Sequence, residues 1–190
     1  MQTFVYLVRH GDSPKNRENE RTRGLTEKGM RDAKEITELL KEEEIEVFAS
    51  SPYSRAVLTI QELAELSGKE VLLFEDLKER VFSEGDKRLS DEELYPLLEK
   101  SFVDAEYALP GGDSNKACQE RAIRVLKEIL TSCQGRKVAI GTHGAVMTLM
   151  LAYFDSRHNL NFLHQLSKPD VYRMTFEEEK LMEVNRLWGS

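Results

Sequence analysis

Two apolar runs that each stop at a histidine followed by glycine constrain this chain more than any other feature. The first is Phe4-Val5-Tyr6-Leu7-Val8-Arg9-His10-Gly11, and the second is Lys137-Val138-Ala139-Ile140-Gly141-Thr142-His143-Gly144. Neither shows the polar alternation of a half-exposed strand, so each is expected as a short strand buried on both faces. Strands of this kind belong to parallel sheets, where ligands collect beyond the carboxyl ends. Two histidines placed there converge on one pocket, and Arg9 adds fixed positive charge beside His10. Either histidine alone reads equally well as a core residue bonded to a backbone carbonyl. The repetition of the pattern, with glycine after each, is what points to chemistry. His158 and His164 lack that context and are expected as surface or loop histidines.

The rest of the chain alternates strands with helices. The charge-dense stretch from Asp12 to Gly24 is expected as a loop over the first strand's end. Thr26 reads as the N-cap of a helix carrying Met30, Ala33, Ile36, Leu39 and Leu40 at helical spacing. Residues 46–50 form a second strand, and a helix is expected from Pro52 towards Gly68. A third strand covers 71–74. The acidic segment from Glu75 to Pro110 contains a helix near residues 91–102, and a long amphipathic helix follows with Ala117, Arg121, Val125, Ile129 and Leu130. After the His143 strand come an apolar helix over 144–154 and two strands, 171–176 and 180–184, joined by a Glu177-Glu178-Glu179 turn. The pattern predicts a three-layer α/β/α sandwich with a mostly parallel central sheet, in a single domain spanning 1–190.

Composition narrows the partners. A chain of 190 residues that is 32% charged and 40% hydrophobic belongs to the globular class. Its formal charge of -7 disfavours nucleic acid and anionic membranes, so a small phosphorylated ligand needs local arginines to hold it. No run reaches the length of a membrane span, and no signal-peptide pattern precedes the first strand. Cys118 and Cys133 fall in one expected helix, about 22 Å apart along its axis, too far to bridge. Idle thiols in a reducing compartment are the expectation, and with them a cytoplasmic location. Arg55 sits in the first turn after Ser50-Ser51-Pro52, where helix N–H groups and a guanidinium suit a phosphate as well as solvent.

Taken in order, Leu7-Val8-Arg9-His10-Gly11, Asn16, Leu25-Thr26-Glu27-Lys28-Gly29, Ser50-Ser51-Pro52 with Arg55-Ala56, Leu77-Lys78-Glu79-Arg80, Pro110-Gly111-Gly112-Asp113-Ser114 and Thr142-His143-Gly144 resemble the histidine phosphatase superfamily, the family of cofactor-dependent phosphoglycerate mutases and related phosphatases. The resemblance implies that His10 is a nucleophile that becomes phosphorylated. It implies that Arg9, Arg55 and His143 hold the phosphoryl oxygens and that Glu79 protonates the leaving oxygen. Asn16 matches the family's loop asparagine, and Ser13 and Gly144 are carried over as substrate-binding residues. Without the resemblance, Glu79 does not stand out from Glu75, Asp76 or Glu84. The family chemistry needs no metal and no cofactor for a phosphatase.

Two departures keep a carboxylate: Asp12 where glutamate is frequent after Arg-His-Gly, and Asp113 in place of glutamate after Pro-Gly-Gly. The run Phe82-Ser83-Glu84-Gly85 lacks the glycine and tryptophan of some phosphatase branches, which bears on the substrate. The leading expectation is a phosphomonoester hydrolase acting on a small phosphorylated metabolite. A mutase is the first rival, disfavoured because the segment from Glu79 to Pro110 looks too short for a substrate-covering insertion. A phosphoprotein phosphatase, a non-catalytic phosphate-binding protein and a zinc hydrolase are the others. The zinc reading lacks a third ligand at metal-like spacing.

Overall fold

Strand β1 (Gln2–Arg9) lies inside a six-stranded sheet, as its unbroken apolar character requires. The computed structural model describes residues 1–15, 19–85 and 89–189. The other strands are β2 (Val47–Ser50), β3 (Val71–Leu73), β4 (Lys137–Thr142), β5 (Asp170–Glu177) and β6 (Lys180–Arg186), in the spatial order β3-β2-β4-β1-β5-β6. The first four run parallel, with Leu7 opposite Ile140 and Arg9 opposite Thr142. The strands β5 and β6 add antiparallel at the β1 edge. Register between β1 and β4 therefore brings His10 and His143 to the same end, one residue beyond each strand.

Side-chain alternation along β1 divides the core in two. Tyr6 and Val8 face α1 (Glu27–Leu40) and α2 (Ser54–Leu66), packing with Ile36, Leu40, Ile60 and Leu63. Val5 and Leu7 belong to the opposite core, with Leu126 and Ile129 of α4 (Asn115–Ser132) and Val146 and Met150 of α5 (Gly144–Phe154). Burying side chains of this size contributes about 1.5–3 kcal/mol each. The result is the α/β/α sandwich. α5 is buried through its first two turns, which is why its sequence is apolar all round.

Local chemistry sets the ends of the helices. Thr26 caps α1 by accepting the Gly29 N–H, and Ser114 caps α4 by accepting the Ala117 N–H. α2 begins at Ser54, two residues after the Pro52 start that proline suggests. The delay has a cause: Ser51 Oγ accepts the Tyr53 N–H and holds Tyr53 extended as the N-cap. Helix α3 (Asp91–Val103) carries a capping box between Ser90 and Glu93. A further helix, α6 (Leu160–Gln165), was not expected from the sequence; Asn159 starts it by accepting two backbone N–H groups. Cys133 stands just past α4, not within it. Both cysteines are buried and unlinked, and burial pushes the Cys118 thiol up to about 12. Among the described residues no helix is long and apolar enough to cross a membrane.

Candidate active site

The β1 and β4 ends open into a cavity of about 360 Å³ walled by Arg9, His10, Arg23, Arg55, Glu79 and Arg80, among others. Its position beyond the strand ends follows from the parallel topology. Close backbone packing builds its floor. A Cβ on Gly29 would fall 2.1 Å from the Asp12 carbonyl oxygen, so only glycine lets the loop after His10 lie on the first turn of α1.

The hydrogen bonds of His10 decide its tautomer. Nδ1 lies 2.7 Å from the Gly11 carbonyl, which only accepts, so Nδ1 carries the proton. Nε2 in turn accepts from Arg55 Nε–H at 3.2 Å and therefore presents a lone pair. Burial, with Arg55 next in weight, lowers His10 well below the ordinary imidazole value, so the ring is neutral.

Arg55 is 1% exposed and fully engaged. Beyond its bond to His10, Nη1 donates to the Glu20 carbonyl and Nη2 to Glu20 Oε2 at 2.8 Å. Burial and nearby Arg23 lower it to about 10, which leaves it charged at neutral pH. Arg9 donates Nη1 to the Leu166 and Ser167 carbonyls, while its Nε is buried without a partner. The guanidinium lies against Gly144, where a Cβ would stand 2.9 Å from Arg9 Nη2.

Glu79 reaches the wall from the segment after β3, and its Oε1 accepts the Arg80 N–H at 2.8 Å. That segment is clamped by Arg121 of α4, which donates Nη1 to the Asp76 and Lys78 carbonyls and Nη2 to the Glu79 carbonyl and Asp113 Oδ2. The Asp113 carboxylate thus serves the clamp, and its Oδ2 also meets the Val81 N–H at 3.3 Å.

His143 lies behind His10, wholly buried and off the cavity wall, with ring centroids 5.2 Å apart. Its Nε2 meets Ser51 Oγ at 2.8 Å, and its Nδ1 is buried without a partner. Burial first, then Arg55, holds it neutral as well. Ser13 is also off the wall: its Oγ donates to the Gly24 carbonyl and accepts from Arg23 Nη1. Asn16 lies outside the described residues. The structure thus gathers Arg9, His10, Arg55, Glu79 and Gly144 on one wall, sets His143 one layer back, and gives Ser13 to Arg23.

Several wall residues carried no sequence signal. Glu20 and Arg23 come from the charge-dense loop, where nothing distinguished them from their neighbours. Arg80 is 4% exposed, stacks on Phe82 at 4.2 Å, and leaves Nε and Nη1 without partners. The segment thought too short to cover a substrate does wall the cavity. Val81, Phe82, Leu89, Leu94, Tyr95 and Leu98 line it from that side. Leu163, His164 and Leu166 also line it, and His164, exposed as expected of a surface histidine, has its ring 5.9 Å from that of Tyr95. Among the described residues no three His, Cys, Asp or Glu side chains form a metal-holding group.

The family model described as histidine phosphatase superfamily (branch 1) matches residues 5–187. The chain belongs to this family. It is 31% identical over 173 residues to a 2,3-bisphosphoglycerate-dependent phosphoglycerate mutase of Parvibaculum lavamentivorans, covering 82% of this chain and 81% of that protein. Among solved structures it resembles Bacillus stearothermophilus YhfR, with a TM-score of 0.80, 25% identity and coverage of 95% and 94%. A mycobacterial glucosyl-3-phosphoglycerate phosphatase superposes over the whole of both chains with a TM-score of 0.79 at 18% identity. Family membership makes phosphatase or mutase chemistry the frame for the site.

Proposed function

We propose that the protein is a metal-independent phosphomonoester hydrolase, a single histidine phosphatase domain that works through a phosphohistidine on His10. The observation that carries this reading is the forced tautomer: with Nδ1–H given to Gly11 O, a neutral Nε2 lone pair stands in the cavity beside Arg9 and Arg55. Once Arg55 Nε–H releases it, the Nε2 lone pair attacks phosphorus in line, forming an N–P bond as the P–O ester bond breaks. Glu79 gives its proton to the departing oxygen, then takes one from the water that attacks the phosphohistidine and releases inorganic phosphate. Arg9 and Arg55 supply charge and hydrogen bonding to the phosphoryl oxygens, strongest in the transition state, and His143 supports His10 from one layer behind.

The cavity also bears on the substrate. Its volume suits a small molecule. Apolar contact with Phe82, Leu94 and Leu98 favours a leaving group with a carbon body, and Arg80 Nε and Nη1 favour one that also carries an oxygen acceptor. Rapid quench with labelled substrate tests the mechanism. Phosphate is expected on the protein in an acid-labile, base-stable linkage, and its persistence in His10→Ala would refute the assignment. A mutase remains the second reading because a mutase is among the relatives and Arg80 offers a seat for a second anionic group. Chasing the labelled phosphoenzyme with a hydroxy acid separates the two, since a mutase passes label to the acceptor and a hydrolase to water.

A further inference from the structure

The arginines of the cavity already hold an anion, and it belongs to the protein. Glu20 Oε2 accepts from Arg55 Nη2 at 2.8 Å and from Arg23 Nη2 at 3.0 Å, and Oε1 accepts from Arg23 Nε at 3.2 Å. The carboxylate lines the cavity, 19% exposed, whereas the two guanidinium side chains are 1% and 8% exposed. With Nε of Arg55 on His10 and Nη1 on the Glu20 carbonyl, every nitrogen of that side chain is in use before any ligand arrives. Arg23 is used as completely, its Nη1 donating to Ser13 Oγ.

We propose that Glu20 is a resident anion in the phosphoryl seat that any incoming group must displace, and that this exchange sets an affinity threshold which a phosphoryl dianion clears and a monoanion does not. The inference rests on the phosphatase reading above. Buried guanidinium groups without a counter-charge are costly, and Glu20 supplies that charge in the free enzyme. A monoanion that evicts it replaces one negative charge by another of equal size, so little attraction is gained. A phosphoryl dianion brings two charges to Arg9, Arg23 and Arg55, and the exchange runs in its favour. Only the side chain needs to turn away: the Glu20 carbonyl can stay on Arg55 Nη1 while Arg55 Nη2 and Arg23 Nε and Nη2 are freed. The competitor weakens every ligand by the same factor, so it sets how strongly a ligand must bind and not the ratio between ligands.

Phenylphosphonate and benzenesulfonate test the exchange, since they share a ring, resist hydrolysis and differ in charge at mildly alkaline pH. Binding of each is measured by calorimetry to the full-length protein and to Glu20→Gln and Glu20→Ala. The wild type is expected to prefer the phosphonate. Both variants are expected to bind both ligands more tightly, each by a similar factor of about tenfold or more, so that benzenesulfonate binding rises above the threshold. Unchanged or weaker phenylphosphonate binding in the variants would mean that Glu20 organises the arginines and does not compete with ligand. Glu20→Gln keeps the shape of the side chain and decides the matter if Glu20→Ala does not fold. Binding of phenylphosphonate with an affinity that the Glu20 variants leave unaltered overturns only the role of Glu20. Failure of every protein to bind it, together with no hydrolysis of phosphate esters, overturns the phosphatase reading as well.

Discussion

Arg121→Met tests whether the clamp on Glu79 matters for catalysis beyond its weight in the fold. The substitution keeps length and apolar bulk but removes donors to three carbonyls, of Asp76, Lys78 and Glu79, and to the Asp113 carboxylate. Each carbonyl bond contributes about 1 kcal/mol net, because water can replace part of what is lost. The ion pair adds about 1 kcal/mol, since Asp113 is 23% exposed and partly screened. The sum is roughly 3–4 kcal/mol, or about a 10 °C fall in melting temperature for a chain of this size. The catalytic effect has a different signature. If the Glu79 backbone drifts by about 1 Å, proton delivery to a basic leaving oxygen suffers by about 10²-fold. A p-nitrophenyl leaving group needs no such proton and should lose far less. Single-turnover phosphorylation by an alkyl phosphate and by p-nitrophenyl phosphate, with calorimetric melting, gives both readouts. Arg121→Lys, which retains a charge for one carbonyl or for Asp113, should fall between. Equal losses for the two substrates would refute the positioning role, and an unchanged melting temperature would refute the clamp itself.

Glu79→Gln should reproduce the same substrate split without the stability loss, costing about 10² to 10⁴ in rate for an alkyl phosphate; parallel losses on both substrates would remove Glu79 as the acid. The neutral histidines predict a pH effect on folding. His10 and His143 are held well below the 6.5 of a free imidazole, so below about pH 6.5 the unfolded chain binds protons that the folded one refuses. Their contribution is complete above that pH and is lost as pH falls towards the folded values, at up to about 1.4 kcal/mol per pH unit for each ring. Urea unfolding between about pH 7.5 and 5.5 reads this slope, and a flat profile would show that the rings are not buried neutral. Gly144→Ala should displace Arg9, trapped between the new Cβ and the Leu166 and Ser167 carbonyls, at a cost of about 1–3 kcal/mol. Unchanged turnover in that variant would show that Arg9 does not need its present seat.

Local regularity explains which parts of this architecture could be read from sequence. Phe4 to Val8 and Val138 to Ile140 are apolar without alternation because helices cover both faces of β1 and β4, and that pattern admits few other readings. Thr26 and Ser114 announce their helices through short-range cap bonds. The antiparallel hairpin of β5 and β6 is marked by its polar turn, where Glu178 takes a φ of 56°. α6 has six residues, too few to show a period, and escaped. Glu20 escaped for another reason: its partner Arg55 is more than thirty residues away and no local rule links them. Arg121 reads as one polar position on an amphipathic helix, and only the path of the 76–79 segment across α4 turns it into a clamp. Pro52 misled by two residues because the Ser51 side chain holds the following turn open.

The unsatisfied atoms of the interior are not spread evenly. Among the described residues, Arg9 Nε, Arg80 Nε and Nη1 and His143 Nδ1 make up half of the buried side-chain atoms without a partner, and all four lie at one end of the sheet. Each such group costs about 1–3 kcal/mol in the folded chain. The chain as a whole carries a formal charge of -7, yet Lys15, Arg9, Arg23, Arg55, Arg80 and Lys168 surround a single cavity against Glu20, Glu79 and Asp91. Glu20 answers two of these cations and leaves two nitrogens of Arg80 and the inner nitrogen of Arg9 without partners, while Arg80 Nη2 donates to the Tyr107 and Asp113 carbonyls. A fold that tolerates this concentration of unpaired donors has prepared, before binding, hydrogen bonds that an anionic ligand would complete. Preorganisation of that kind is what phosphoryl transfer asks of a protein, because donors that need not reorganise as charge moves onto the transferring oxygens lower the barrier most.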